Sequence, residues 1–260
     1  FGTLLSKPFN DPNFTLTAVS RDSANQPTGL AITYTSSDTA IADIVNGNEV
    51  DLKNKGSTII TASQPGSDNY LPATPVPQAL DVLNAGQAIT FAALPTKTFG
   101  DGTMTLTAES RATLDNAATG LTVAFASSNT TVATISGNIL TIVGGGTSII
   151  TATQAGNDNF AAATPVPQTL TVNKAAGNIV LGGLAQAYTG TARTATATTT
   201  PSGLTVDFTY DGGVTAPINV GTYAVVGTIN SQNYSGSANG NLVISKAEQT
   251  RASEEPIAVF

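Results

Sequence analysis

The stretch Thr74-Pro75-Val76-Pro77-Gln78-Ala79-Leu80-Asp81-Val82 returns ninety positions later as Thr164-Pro165-Val166-Pro167-Gln168-Thr169-Leu170-Thr171-Val172. Each copy reads as a proline-stiffened entry into an alternating strand, with Leu and Val on one face. Two prolines one residue apart remove two backbone donors, so the segment does not suit the middle of a sheet. It suits the start of a last, edge-facing strand that leads out of one domain and into the next. An exit strand repeated at a fixed offset means tandem domains, which decides the architecture before any local feature is read.

The register extends over the preceding text. Phe1, Leu4, Lys7, Phe9 and Asp11 fall on Phe91, Leu94, Lys97, Phe99 and Asp101. Phe14-Thr15-Leu16-Thr17-Ala18 falls on Met104-Thr105-Leu106-Thr107-Ala108 with one buried face. Gly29 to Tyr34 answers Gly120 to Phe125, and Asn46-Gly47-Asn48 and Ser136-Gly137-Asn138 read as hairpin turns in which Gly supplies a positive φ. Strands spaced this evenly with turn residues between them predict an antiparallel sandwich, and no window carries a helical period. The alternation predicts matched cores, Leu16, Ile32, Tyr34, Ile44, Ile59 and Leu80 against Leu106, Val123, Phe125, Ile135, Ile149 and Leu170.

A third segment is shorter and less alike. Tyr188 takes the place of Phe99, Val220 to Val226 answers the Gly-Gly-Thr-Ser-Ile-Ile strand, and Asn241-Leu242-Val243-Ile244 is an exit strand without prolines. The expected domains are 1–84, 85–174 and 175–246, followed by a tail at 247–260. The expected fold class is all-β, tandem Ig-like β-sandwich domains arranged as a rod. Their linkers are short, which predicts end-to-end stacking with little freedom.

Composition bounds the chemistry. A formal net charge of -7 and only 10% charged residues leave no basic patch for phosphates, so nucleic acid is not an expected partner. No run approaches the length of a membrane helix, and membrane insertion is not expected. There is no Cys and no His, and no Ser has a Lys or carboxylate placed beside it as a base, so no catalytic residue and no cofactor site is expected.

Four recurrent features have a chemical and a plainer reading. Asp68-Asn69 and Asp158-Asn159 recur in one loop, and calcium prefers such oxygens. The simpler reading is that these Asx side chains cap their own turn, leaving Asp68 and Asp158 as weak calcium candidates only. Tyr70, Phe160 and Tyr234 each follow an Asn and read as plugs packing across their own sandwich rather than as a ligand platform. Lys7 and Lys97 read as solvent-facing guards of an edge strand rather than as cross-linking amines, because no apolar pocket surrounds them. Ser36-Ser37 and Ser127-Ser128 sit where the repeats turn.

Ser127-Ser128-Asn129, Val132-Ala133-Thr134-Ile135, Gly137-Asn138 and Gly145-Gly146-Thr147 through Thr151-Ala152 resemble the bacterial Ig-like (group 2, intimin/invasin-like) repeat, and Ser36 to Ala62 carries the same signature. Tyr188-Thr189-Gly190-Thr191-Ala192, Thr209-Tyr210-Asp211-Gly212 and Asn219-Val220-Gly221-Thr222-Tyr223 look like the related MBG/YDG-type repeat. The resemblance implies an extracellular stalk or fibre segment of a bacterial surface protein, its partners being flanking domains or further copies of itself. The alternative it allows is a ligand-binding adhesin segment or an accessory module of a secreted enzyme.

The two ends carry one more expectation. Gln87 to Thr90 opens the second domain, and nothing matches it before Phe1. The tail text Pro256-Ile257-Ala258-Val259-Phe260, placed before Phe1-Gly2-Thr3-Leu4, reads like the missing strand. One reading has Ile257, Val259 and Phe260 of one copy pairing beside Phe1 and Leu4 of the next, a head-to-tail contact that gives filaments. The other has Phe1 as the start of a processed or excised piece, with a disordered tail.

Overall fold

The structure, a computed structural model, describes residues 1–249 and is all-β, with no helix among them. The strands segregate into three groups, each closing over its own core. In the first group a four-stranded sheet runs Lys7–Pro8, Val76–Leu83, Gly56–Ser63, Thr33–Ser36, and faces a three-stranded sheet of Phe14–Thr15, Glu49–Leu52 and Ala42–Val45. Leu16, Val50, Ile60, Leu80 and Val82 are buried between them. The second group repeats this plan with Ala124–Ser127, Gly146–Thr153, Val166–Asn173 and Lys97–Thr98 in one sheet. Thr103–Thr105, Ile139–Ile142 and Ala133–Ser136 form its other sheet, over a core of Leu106, Leu140, Ile150, Leu170 and Val172. In the third group Ala185–Ala187, Ser237–Ser245, Gly221–Asn230 and Thr205–Tyr210 enclose Tyr210, Val225, Leu242 and Ile244.

Local chemistry explains the strands. Val45 pairs with Glu49 across a turn in which Asn46 and Gly47 take φ of 51° and 82°, values that Asn and Gly adopt at little steric cost. The double-serine turns are tied from the interior. Ser36 Oγ and Ser37 Oγ lie 2.9 and 3.1 Å from the hydroxyl of buried Thr58, and Ser127 Oγ lies 2.8 Å from buried Ser148.

That tie also corrects the expected core. Ile59 and Ile149 point outward, 47% and 48% exposed, while Ile60 and Ile150 are fully buried. An Ile-Ile pair fits a period of two in either phase. Here Thr58 faces inward because its hydroxyl is satisfied there, and that sets Ile60 and Ala62 on the inner face as well. The expected partners Leu16 and Leu106, and Leu80 and Leu170, are buried at matching places.

The exit strand is not the sheet edge along its whole length. Val76–Leu83 pairs antiparallel with Gly56–Ser63 from Val76 to Val82, and Lys7–Pro8 joins its other side in parallel at Val82 and Leu83 only. Pro77 therefore lies where that second side carries no strand, and the donor it lacks is not needed.

The second group has an extra two-stranded pair, Gln87–Phe91 against Ala108–Ala112, and the third has Asn178–Gly182 against Thr196–Thr200. Among the described residues no strand pairs with Ala18 to Asp22, the first group's counterpart of Ala108–Ala112. A cavity of about 100 Å³ lies there, lined by Phe1, Val19, Ser20, Ile32 and Gln64 among others. Phe1 and Leu4 pack against their own core, with the Phe1 ring edge-on to Tyr34 at 5.6 Å. Ile257, Val259 and Phe260 lie outside the described residues.

Candidate functional site

The most elaborate polar and aromatic constellations stand where one group of strands meets the next, and they are built twice to one plan. Three parts make each joint. The first is an aromatic just past the short parallel strand, Phe9 or Phe99, whose N–H donates to the last residue of its own exit strand, Leu83 or Asn173, at 2.9 Å in both cases. The second is the backbone N–H just before the long central strand, Lys55 or Gly145. The third is a loop of the following group carrying Asn159-Phe160 or Asn233-Tyr234.

In the first joint the Phe160 ring meets Phe9 edge-on, with centroids 5.6 Å apart and planes at 86°. The Lys55 N–H donates to Asn159 Oδ1 at 2.9 Å, and Asn159 Nδ2 donates to Asn54 Oδ1 at 3.0 Å. The linker is stitched to the same loop: Ala85 N–H donates to Asn159 O at 2.8 Å, and Ala161 N–H to Ala85 O at 2.9 Å. Asn84 Nδ2 donates to Asp158 O at 2.8 Å. In the second joint the Tyr234 ring meets Phe99 at 5.4 Å and 78°, the Gly145 N–H donates to Asn233 Oδ1 at 3.0 Å, and the Ala175 N–H donates to Asn233 O at 2.8 Å.

The two joints differ in one instructive way. Where the receiving edge is Asn54-Lys55, the loop brings Asp158 beside its Asn. Where it is Gly144-Gly145, the loop brings Gln232, whose Nε2 donates to Thr131 O at 3.3 Å and Gly145 O at 3.2 Å. A Cβ on Gly144 would stand 2.7 Å from Gln232 Nε2, and one on Gly145 2.5 Å from the Gln232 carbonyl oxygen, so glycine at both positions lets this loop and its longer side chain approach the edge.

These joints revise three expectations. Phe160 and Tyr234 do not plug their own sandwich; each packs its ring on the preceding one. The loop turn is capped by the residue two before the Asn. Asn157 Oδ1 accepts from the N–H groups of Asn159 and Phe160 at 2.9 and 2.8 Å, Ser231 Oγ from Asn233 at 3.1 Å, and Ser67 Oγ from Asn69 at 3.3 Å. With the turn capped by its neighbour, the Asn159 and Asn233 side chains are free to bond across the joint. Lys7 is half-buried rather than wholly solvent-facing, paired with Asp11 at 3.3 Å and standing 5.7 Å over the Phe14 ring. Sequence alone pairs Phe9 with Phe99 and Phe160 with Tyr234; that each entrance ring meets a loop ring from the next unit is the signal it leaves unread.

Asp68 and Asp158 gather no further acidic ligand, and no group of three or more His, Cys, Asp or Glu side chains occurs among the described residues. Two grooves of about 750 and 530 Å³ recur at matching places, beside Leu106, Val123 and Phe125 and beside Leu16, Ile32 and Tyr34. No charged side chain lines either, so neither offers an acid–base pair or an activated nucleophile. Of the perturbed ionisable groups, Asp43 and Lys53 lie away from both grooves, and Tyr34 lines the smaller one without an acid or base beside it. A hydrogen bond from Lys53 holds the Asp43 carboxyl below its usual range and raises Lys53 in turn, and burial pushes the Tyr34 phenol up.

No curated protein matches the chain. Domains 1-6 of surface layer protein SbsC align with 94% of this chain at 17% identity and a TM-score of 0.32, and the chain spans 39% of that one. Drosophila N-cadherin EC1-3 aligns with 94% of this chain and 97% of its own at 8% identity and a TM-score of 0.33. Mouse cadherin-23 EC22-24 aligns with 94% and 96% at 15% identity and a TM-score of 0.31. Within the chain, residues 177–248 match the MBG domain family.

Proposed function

We propose that the chain is a structural, non-catalytic segment of a secreted or cell-surface bacterial protein, acting as a stalk or fibre subunit. Its domains are 1–84, 85–174 and 175–246, the first two of the intimin/invasin-like Ig type and the third of the MBG type. The observation that carries this reading is the joint built twice to one plan: the same ring pair, the same N–H to Asn contact, the same stitched linker. Flexibly tethered modules would not need such contacts; a rod that holds something at a distance does. The match of residues 177–248 to the MBG domain supports the assignment of the third unit.

Small-angle scattering tests it. A compact globule of 260 residues has a radius of gyration of about 18 Å. Three sandwiches end to end, each about as long as the ten-residue strand Gly221–Asn230 at roughly 3.3 Å per residue, reach about 100 Å and a radius of gyration near 28 Å. A value near the compact figure refutes the rod. The proposal extends to self-assembly, in which the tail of one copy supplies the strand missing beside Ala18 to Asp22 of the next. The unfilled cavity at Phe1 supports that extension. Strand donation by itself requires that deleting residues 254–260 abolish filaments, and filaments that persist would reject strand donation.

A further inference from the structure

Besides the two mated joints, the chain holds one more copy of each half. The loop Asp68-Asn69-Tyr70 has the same turn, with the Asn69 N–H on Ser67 Oγ, and its ring is 41% exposed. At the other end, the Tyr188 N–H donates to Ser245 O at 2.9 Å, as those of Phe9 and Phe99 do to Leu83 and Asn173. Tyr188 is therefore a third receiving ring, 38% exposed, and Val220, just before the strand Gly221–Asn230, stands where Lys55 and Gly145 stand. Ile218 and Val220 beside it are also exposed, at 45% and 47%. Among the described residues neither half has a mate.

We propose that these two halves mate with each other between copies of this chain: the Asn69-Tyr70 loop of one copy seats on the Tyr188 platform of another. The inference rests on the reading of the mated joints as the device that builds a rod.

The residues at the halves specify the match. The first joint pairs an Asp-Asn-aromatic loop, Asp158-Asn159-Phe160, with an edge that carries Asn54; the second pairs a Gln-Asn-aromatic loop with glycines. The unmated loop is of the Asp-Asn type, and the unmated edge is Asn219-Val220-Gly221, of the Asn type. They fit each other by the chemistry of the first joint. Asn69 Oδ1 accepts from the Val220 N–H, and Asn69 Nδ2 donates to Asn219 Oδ1 as Asn159 Nδ2 donates to Asn54 Oδ1. Tyr70 meets Tyr188 edge-on, as Phe160 meets Phe9.

The linker residue also recurs. Ala247 follows its exit strand at the same distance as Ala85, and Ala247-Glu248-Gln249 stands where Ala85-Gly86-Gln87 stands. In the second unit Gln87 is buried, accepting from Ser110 and donating to Gln154 Oε1. The first unit has the matching Ser20 and Gln64 at its cavity, with no Gln between them among the described residues. Gln249 of the neighbouring copy supplies it. The contact is heterologous, so it propagates head to tail rather than closing a dimer.

Sedimentation of the intact chain over micromolar to millimolar loading tests this with Tyr70→Ala and Tyr188→Ala, both at partly exposed positions that leave the cores untouched. Wild type should associate reversibly, and each variant alone should do so roughly tenfold or more weakly, the loss expected for a ring pair with its buried area. An equimolar mixture of the two variants should form one-to-one dimers that grow no further, because only one intact loop and one intact platform remain. A wild type monomeric throughout, or variants that associate like wild type, would overturn the proposal. The chain lacking 254–260 separates the two modes: loop docking leaves it able to associate in a Tyr188-dependent manner, strand donation alone does not. A rod in scattering with no association would leave the structural reading standing and reject this one.

Discussion

Replacing Asn159 by Ala removes two side-chain hydrogen bonds of the first joint, Lys55 N–H to Oδ1 at 2.9 Å and Nδ2 to Asn54 Oδ1 at 3.0 Å. Each contributes about 0.5–1.5 kcal/mol net, and at a partly exposed site the lower half of that range applies because water replaces the lost partner. The two together come to about 1–2 kcal/mol, which raises the opening equilibrium of the joint roughly 5- to 30-fold. The Ala85 and Phe9 contacts remain, so the joint loosens rather than parts. Amide hydrogen exchange reads the effect directly, since the Lys55 N–H is itself the donor. Its exchange should speed up by that factor, while the Gly145 amide, which serves the second joint, stays unchanged. Asn233→Ala should do the reverse. If the Lys55 amide exchanges at the same rate in Asn159→Ala, the contact does not hold the joint and its role here is wrong.

Ile150→Ala and Leu106→Ala should each cost about 2–5 kcal/mol by denaturant unfolding, whereas Ile149→Ala, on the outer face, should cost about 1 kcal/mol or less; equal losses would restore the opposite strand phase. Asp43 is held below the usual carboxylate range by Lys53, so the stability it contributes is present above that range and is lost as pH falls through its depressed value. A proton-linked NMR titration should show this depression, and Lys53→Met should return Asp43 toward the ordinary value. Neither chelator nor millimolar calcium should move the melting temperature, because Asp68 and Asp158 gather no ligand set; a clear upward shift with calcium would make them ligands.

What could be read from the text was what recurs within one unit. The ninety-residue register places Leu16 on Leu106 and Leu80 on Leu170, and period-two alternation buries them. Where the pattern is degenerate the sequence does not decide: Ile59-Ile60 satisfies either phase, and the Thr58 hydroxyl network sets which one is buried. The joints were harder for a different reason. An aromatic after an Asn at one place in each unit fits a plug in its own sandwich as well as one in its neighbour's. The contact from Lys55 to Asn159 spans more than a hundred residues, and no local rule of spacing reaches that far. The entrance aromatics Phe9 and Phe99 carried the missing half of the signal, being as regular as the loop rings they meet. The Asx cap is not legible because Asn157-Asp158-Asn159 offers several equivalent oxygens, and only the geometry shows that Asn157 holds the turn.

The reading as a whole depends on the joints fixing each unit against the next. Residual dipolar couplings measured on the intact chain test this most directly, since one alignment tensor must fit amides from all three units if they tumble as one body. A single tensor, with the Asn159→Ala, Asn233→Ala double variant splitting into separate ones, is the expected result. Three unrelated tensors in the wild type would show that the units move independently, and that the paired rings and shared hydrogen bonds do not build a rod.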